Sequence, residues 1–110
     1  MSTSEVGHKN VVIDIDDILF VEAMDNYVKI FRSASHMVLS QITMEEMEAL
    51  LPVDSFIRVH RSFIVSLGAI DKFSNRKIYL RNSDMTIPVG RKYIEAFNNI
   101  YNKLNKINKI

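Results

Sequence analysis

Phe56-Ile57-Arg58-Val59-His60-Arg61-Ser62-Phe63-Ile64-Val65-Ser66 is the stretch around which the rest of the chain is organised. Ile57 and Val59 alternate with Arg58 and His60, so a strand here sends the apolar pair to one face and the basic-capable pair to the other. Arg61 and Ser62 break the alternation, and Phe63, Ile64 and Val65 resume an apolar run at once. The break therefore reads as a turn held between two buried anchors and presented outward. Two readings stay open on these residues alone. One is a binding turn; the other, which the pattern by itself favours, is an edge strand whose solvated Arg58, His60 and Arg61 guard against sheet-edge pairing.

Outward from this stretch the chain reads as mainly β, a small antiparallel β-sheet assembly with one short helix and a C-terminal helix. Val11 to Ile15 and Ile18 to Glu22 are expected strands around an Asp16-Asp17 turn, rich in the branched residues that strands prefer. A loop over Ala23 to Asn26 leads to a strand from Tyr27 to Arg32. A turn at Ser33-Ala34-Ser35 and a strand from His36 to Gln41 complete a hairpin. Thr43 opens the clearest helix: it can cap free amides, Glu46 completes a capping box, and Ile42 can staple against Met47. Met47, Leu50 and Leu51 are expected to line its buried face, and Pro52 stops it. Beyond the central stretch, strands are expected at Ile70 to Phe73, Lys77 to Leu80 and Met85 to Val89, separated by turns at Ser74-Asn75-Arg76 and Asn82-Ser83-Asp84. After Gly90 the period becomes helical, with Ile94, Phe97, Tyr101 and Leu104 on one stripe. The closing Asn-Lys-Leu, Asn-Lys-Ile, Asn-Lys-Ile repeat cannot keep one apolar face, because a three-residue step drifts about 60° around a helix. It is expected to fray or leave the domain.

The chain has 110 residues, 47% apolar and 25% charged, enough for one core. Residues 1–10 read as a flexible tail or the remnant of a linker, and residues 11–110 as the domain. There is no cysteine, and so neither disulfide nor thiolate chemistry. No apolar run is long enough to span a membrane, and a cytoplasmic location is expected. The net charge of +1 hides a division: residues 1–57 carry Lys9, Lys29 and Arg32 against ten acids, whereas residues 58–110 carry eleven bases against Asp71, Asp84 and Glu95. A basic half of that kind is the footprint of a polyanion binder if it forms one face. Catalysis finds no support, since no motif organises His8, His36 or His60 with a nucleophile, and there is no phosphate loop. The Asp14, Asp16, Asp17 cluster does not have calcium-loop spacing. Neither metal nor cofactor is expected.

Four segments, in order, resemble the LytTR domain, the DNA-binding module of many bacterial response regulators. Phe56 to Ser66 is similar to that family's "F-x-R-x-H-R-S-x-x-V-N". Asp17 to Ala23 resembles its "D-I-x-x-I-E-A", Asn26-Tyr27-Val28 its "N-Y-V", and Ile87 to Tyr93 its "I-P-V-S-R-x-Y". Ser66 stands where the family usually has Asn, and Gly90 where it usually has Ser. The resemblance implies a transcriptional regulator's output domain, of a two-component system, that inserts loops into the major groove of repeated double-stranded DNA sites. It further implies an upstream receiver or sensory domain if the chain is a fragment, and a second copy on an adjacent site. DNA contacts are then expected from Asn26, Tyr27, Arg58, His60, Arg61, Ser62, Arg91 and Lys92. The residues suit those roles: the Arg61 fork can meet guanine bidentately, the Asn26 amide suits adenine, and His60 can donate. Arg91 and Lys92 stand at a helix start, where cations oppose the dipole, so a polyanion would explain them. The alternative is a β-sheet protein-interaction module with a basic edge.

Overall fold

The computed structural model describes residues 13–33, 37–81 and 83–108, with side chains to residue 104. β1 (Ile18–Met24), β2 (Tyr27–Arg32) and β3 (Val38–Ser40) form the expected meander, and β4 (Phe56–His60) and β5 (Phe63–Ser66) flank Arg61-Ser62 as a hairpin. Because β5 pairs with β1, the five strands make one antiparallel sheet in the order β3-β2-β1-β5-β4. A second sheet holds β6 (Ile70–Ser74), β7 (Lys77–Leu80) and β8 (Thr86–Pro88). Two helices, α1 (Met44–Leu50) and α2 (Ile94–Asn108), complete the mainly β architecture.

The larger sheet is buried on both faces, which is why its strands carry so many apolar residues. On one face Val21, Val28, Ile30 and Ile64 pack beneath Met44, Met47 and Leu51 of α1 and its end. On the other, Phe20, Val59 and Val65 meet Ile78 and Ile87 of the second sheet and Phe97 of α2. Two bulges set which side chain goes where. Ile18 and Phe20 oppose Arg32 and Phe31, so Leu19 is an extra residue, and both Leu19 and Phe20 reach the second core. Arg58 and His60 oppose Ile64 and Phe63, which makes Val59 the extra residue of β4.

Several boundaries differ from the expected ones. Residues 11 and 12 lie outside the described part; the expected Asp16-Asp17 turn is present as a 3-10 turn that also takes in Ile15, the expected end of the first strand. Asp14 causes this: its carboxylate accepts the Asp16 amide at 3.0 Å, and its carbonyl accepts the Asp17 amide at 2.9 Å. The loop expected from Ala23 is shorter, because β1 and β2 stay paired to Met24 and Tyr27 and only Asp25-Asn26 turn. His36 is outside the described residues, and the strand after it starts at Val38. β8 covers only Thr86–Pro88 of the expected Met85 to Val89. Arg91–Tyr93 form a 3-10 turn before α2, whose backbone stays helical to Asn108 where fraying was expected. Among the described residues no helix is long and apolar enough to cross a membrane.

α1 carries the clearest confirmation and the clearest correction. Thr43 accepts the Glu46 amide at 3.0 Å while Glu46 accepts the Thr43 amide at 2.8 Å, closing the capping box. Its buried stripe, however, is Met44, Met47 and Leu51, and Leu50 is 68% exposed. Spacings of three and four keep those three within a narrow arc, whereas Leu50 lies about 100° from Leu51. Leu50→Ala is therefore expected to change stability by less than about 0.5 kcal/mol. Met47→Ala should cost about 2 to 5 kcal/mol and Thr43→Ala about 1 kcal/mol, all three read from urea unfolding midpoints.

Candidate nucleic-acid interface

Three turns are stitched to one end of the larger sheet by backbone hydrogen bonds. Past the Glu22 and Phe63 pair, the Ala23 amide donates to the Ser62 carbonyl at 2.8 Å, which fixes the Arg61-Ser62 turn against β1. β1 and β2 continue beyond it to the Asp25-Asn26 turn. On the far side of β4 the Gly90 amide donates to the Val59 carbonyl at 2.8 Å, so Arg91 and Lys92 stand beside the same hairpin. Asn26-Tyr27, His60-Arg61-Ser62 and Arg91-Lys92 are thus brought to one end. A cleft of about 420 Å³ opens between the first two, lined by Asn26, Tyr27, Arg58, Arg61 and the start of α1 at Thr43 and Glu45.

The bulge at Val59 separates two side chains that simple alternation puts on one face. Arg58 points toward α1, and His60 turns to the opposite face, where its ring meets the edge of Phe63 at 5.6 Å. Neither Arg61 nor Ser62 has a positive φ, so their turn lacks the twist of the usual two-residue hairpin loops, and the bulge supplies it. The His60 ring also packs on Gly90. A Cβ there would lie 3.5 Å from His60 Cδ2 and 3.3 Å from Tyr93 Cδ2, so a serine at this position would press on the Tyr93 ring.

Arg58 is a brace rather than a free cation. Its side chain is only 11% exposed, and every arm of the fork is used. Nε donates to the His60 carbonyl at 2.9 Å, one Nη donates to the Arg61 carbonyl at 2.6 Å, and the other donates to Glu48 Oε1 at 3.0 Å. Glu45 adds a looser ion pair at 3.9 Å, and the guanidinium carbon sits 6.0 Å from the Tyr93 ring centroid. One side chain ties the β4–β5 turn to α1 and to the 3-10 turn that bears Arg91 and Lys92. The Arg58 position was legible in the sequence; this inward role, and the part played by Glu45 and Glu48, were not.

The other expected residues face outward or orient those that do. Arg61 has a pinned carbonyl and an exposed guanidinium with no side-chain partner among the described residues. Arg91 and Lys92 are likewise exposed and have no partner among the described residues, and Asn26 is exposed at the tip of its turn. His60 Nδ1 accepts the Ser62 amide at 3.0 Å, so in the neutral ring Nε2 carries the proton. No buried side-chain nitrogen or oxygen lacks a partner among the described residues, which leaves that Nε2 proton accessible to an outside acceptor. Ser62 serves through its backbone, donating to His60 and accepting from Ala23.

Fold and site together define a small, mainly β domain that gathers exposed basic turns at one end of its larger sheet. The chain belongs to the LytTr DNA-binding domain family, whose sequence profile matches residues 8–102. It is 32% identical over 92 residues to the sensory transduction protein LytT of Bacillus subtilis, covering 80% of this chain and 38% of that protein. Its identity to the transcriptional regulatory protein YpdB of Escherichia coli K12 is 33% over 93 residues, 79% of this chain and 37% of that one. The LytTr DNA-binding domain of a Bacillus cereus response regulator superposes with a TM-score of 0.72 at 26% identity, over 81% of this chain and 84% of that chain. The chain thus spans less than two fifths of the length of these curated relatives.

If Arg58 is a brace, Arg58→Gln should lower stability by about 2 kcal/mol and loosen DNA binding with it. Arg58→Lys should recover neither, because a point charge cannot serve three acceptors that a planar fork meets. Unfolding midpoints and DNA titrations of the two variants check this.

Proposed function

We propose that this domain binds double-stranded DNA sequence-specifically as the output module of a bacterial transcriptional regulator, by entering the major groove with turns. The observation that carries the reading is the gathering of Arg61, Arg91 and Lys92, unpartnered among the described residues, with Asn26 and His60 at one end of a rigid sheet. Rigid β scaffolding supports base reading because it limits the conformations a donor must give up on binding. In this reading Arg61 meets a guanine edge, with Arg58 holding its backbone in place, and Asn26 and His60 add donors at neighbouring bases. Arg91, Lys92 and Tyr27 hold phosphates and sugars. The names of the relatives add support for a regulator working under a sensory or receiver domain, and we infer that two copies occupy repeated sites.

Duplexes selected by the protein from a randomised pool provide the test. With about four to six phosphate contacts, log affinity should fall against log salt with a slope of roughly −3.5 to −5.5, and a slope near zero overturns the reading. Arg61→Ala should cost about 1 to 3 kcal/mol on selected duplexes and much less on scrambled ones, whereas Lys92→Ala should weaken both alike and reduce the slope by about 1. Equal loss on both duplexes for Arg61→Ala would make Arg61 a phosphate contact.

A further inference from the structure

The β6–β7 hairpin ends in a turn that breaks a local rule. Ser74 pairs with Lys77, leaving Asn75 and Arg76 as a two-residue loop with φ of 54° and 60°. Both central residues are therefore left-handed, the arrangement in which the second place is normally glycine. Arginine brings a Cβ into a region that disfavours it. Nothing within the fold compensates: Arg76 is exposed and has no side-chain hydrogen bond or ion pair among the described residues. Arg81, at the other end of the hairpin, by contrast bonds the Ile70 carbonyl at 3.2 Å.

The turn's position gives the strain a use. The Arg76 carbonyl accepts the Val89 amide at 3.0 Å, and the very next amide, that of Gly90, donates to Val59 at 2.8 Å. Consecutive residues of one segment thus join the β6–β7 turn to the end of the sheet that presents Arg61, Arg91 and Lys92. An unpaired cation kept in a strained turn beside other unpaired cations signals a role outside the folded chain. We propose that Asn75-Arg76 is a fourth DNA-contacting element, in which the Arg76 guanidinium holds a backbone phosphate beside the segment bearing Arg91 and Lys92. The proposal rests on the DNA-binding reading above. A phosphate fits better than a base, because most protein–DNA hydrogen bonds go to the backbone and the segment that Arg76 adjoins bears Arg91 and Lys92, which the reading above assigns to phosphates.

Relief of strain and loss of binding then act in opposite directions in a single variant. Arg76→Gly should raise the melting temperature by about 4 °C. The same variant should bind both a mixed-sequence duplex and pool-selected duplexes roughly 3- to 10-fold more weakly, with the salt slope shallower by about 0.9. Arg76→Lys should keep the wild-type slope, and Arg81→Gln should leave affinity unchanged although it removes the same charge. Wild-type affinity in Arg76→Gly overturns the proposal, as does an unchanged or lower melting temperature. Weakening confined to the selected duplexes overturns the phosphate assignment in favour of base reading. Failure of the wild-type protein to bind any duplex overturns the DNA-binding reading itself, a result distinct from wild-type protein and variant binding equally well.

Discussion

A guanidinium withdrawn from water must have its donors met, and most of this domain's functional end follows from how Arg58 meets them. Its acceptors are two consecutive carbonyls of the β4–β5 turn and a carboxylate on α1. The carbonyls belong to His60, the last residue of β4, and Arg61, the first residue of the turn. Holding both fixes the direction in which Arg61 leaves the sheet. The carboxylate of Glu48 is half exposed, so its Coulomb attraction is modest, and the fork geometry contributes more than the charge. α1 is therefore more than a cover for the first core, since its outer face supplies the acid that completes the brace.

Why the brace can form depends on one extra residue. A regular β4 would direct Arg58 and His60 to the same side and leave them competing for it. With the bulge at Val59, Arg58 faces α1 while His60 faces Phe63 and Gly90. The backbone carbonyl of that same bulged residue accepts the Gly90 amide. A single irregularity thus sorts two side chains and docks the segment that carries Arg91 and Lys92, consistent with the frequent placement of bulges beside working sites.

Period and punctuation made much of this legible in the sequence. Tyr27–Arg32 and Lys77–Leu80 have the boundaries their residues imply, because alternation and flanking turn residues agree there. The capping box of α1 is local chemistry, and it forms as its residues require. The differences have separate physical causes. Leu50 continues the apolar run at the C-terminal end of the helix, whereas the core takes Met44 from its first turn. The Asp14 carboxylate takes the Asp16 amide, so the turn at Asp16-Asp17 extends back over Ile15, which alternation assigns to a strand. The bulge at Val59 leaves no mark in composition: it depends on a partner strand, and a one-dimensional pattern does not contain the register of two strands. The residues of the candidate site could accordingly be named from sequence, while the division between Arg58, which holds, and Arg61, which is held, required the fold.

The net charge of +1 also takes on a physical meaning once the fold is known. Acids are not spread evenly against the bases; Glu45 and Glu48 stand on α1, where they engage Arg58 from behind the turn. Arg61, Arg91 and Lys92 have no such partners among the described residues, and their charge remains directed outward. A near-neutral total limits long-range attraction to any polyanion, so affinity must come from the few cations that a ligand meets at close range. Cations used in that way have to be positioned, and positioning is what the bulge, the brace and the Gly90 contact provide. Under the proposed reading, selectivity then follows from placement more than from charge, because a misplaced duplex still feels the charges but loses the direction that the held Arg61 backbone gives its side chain.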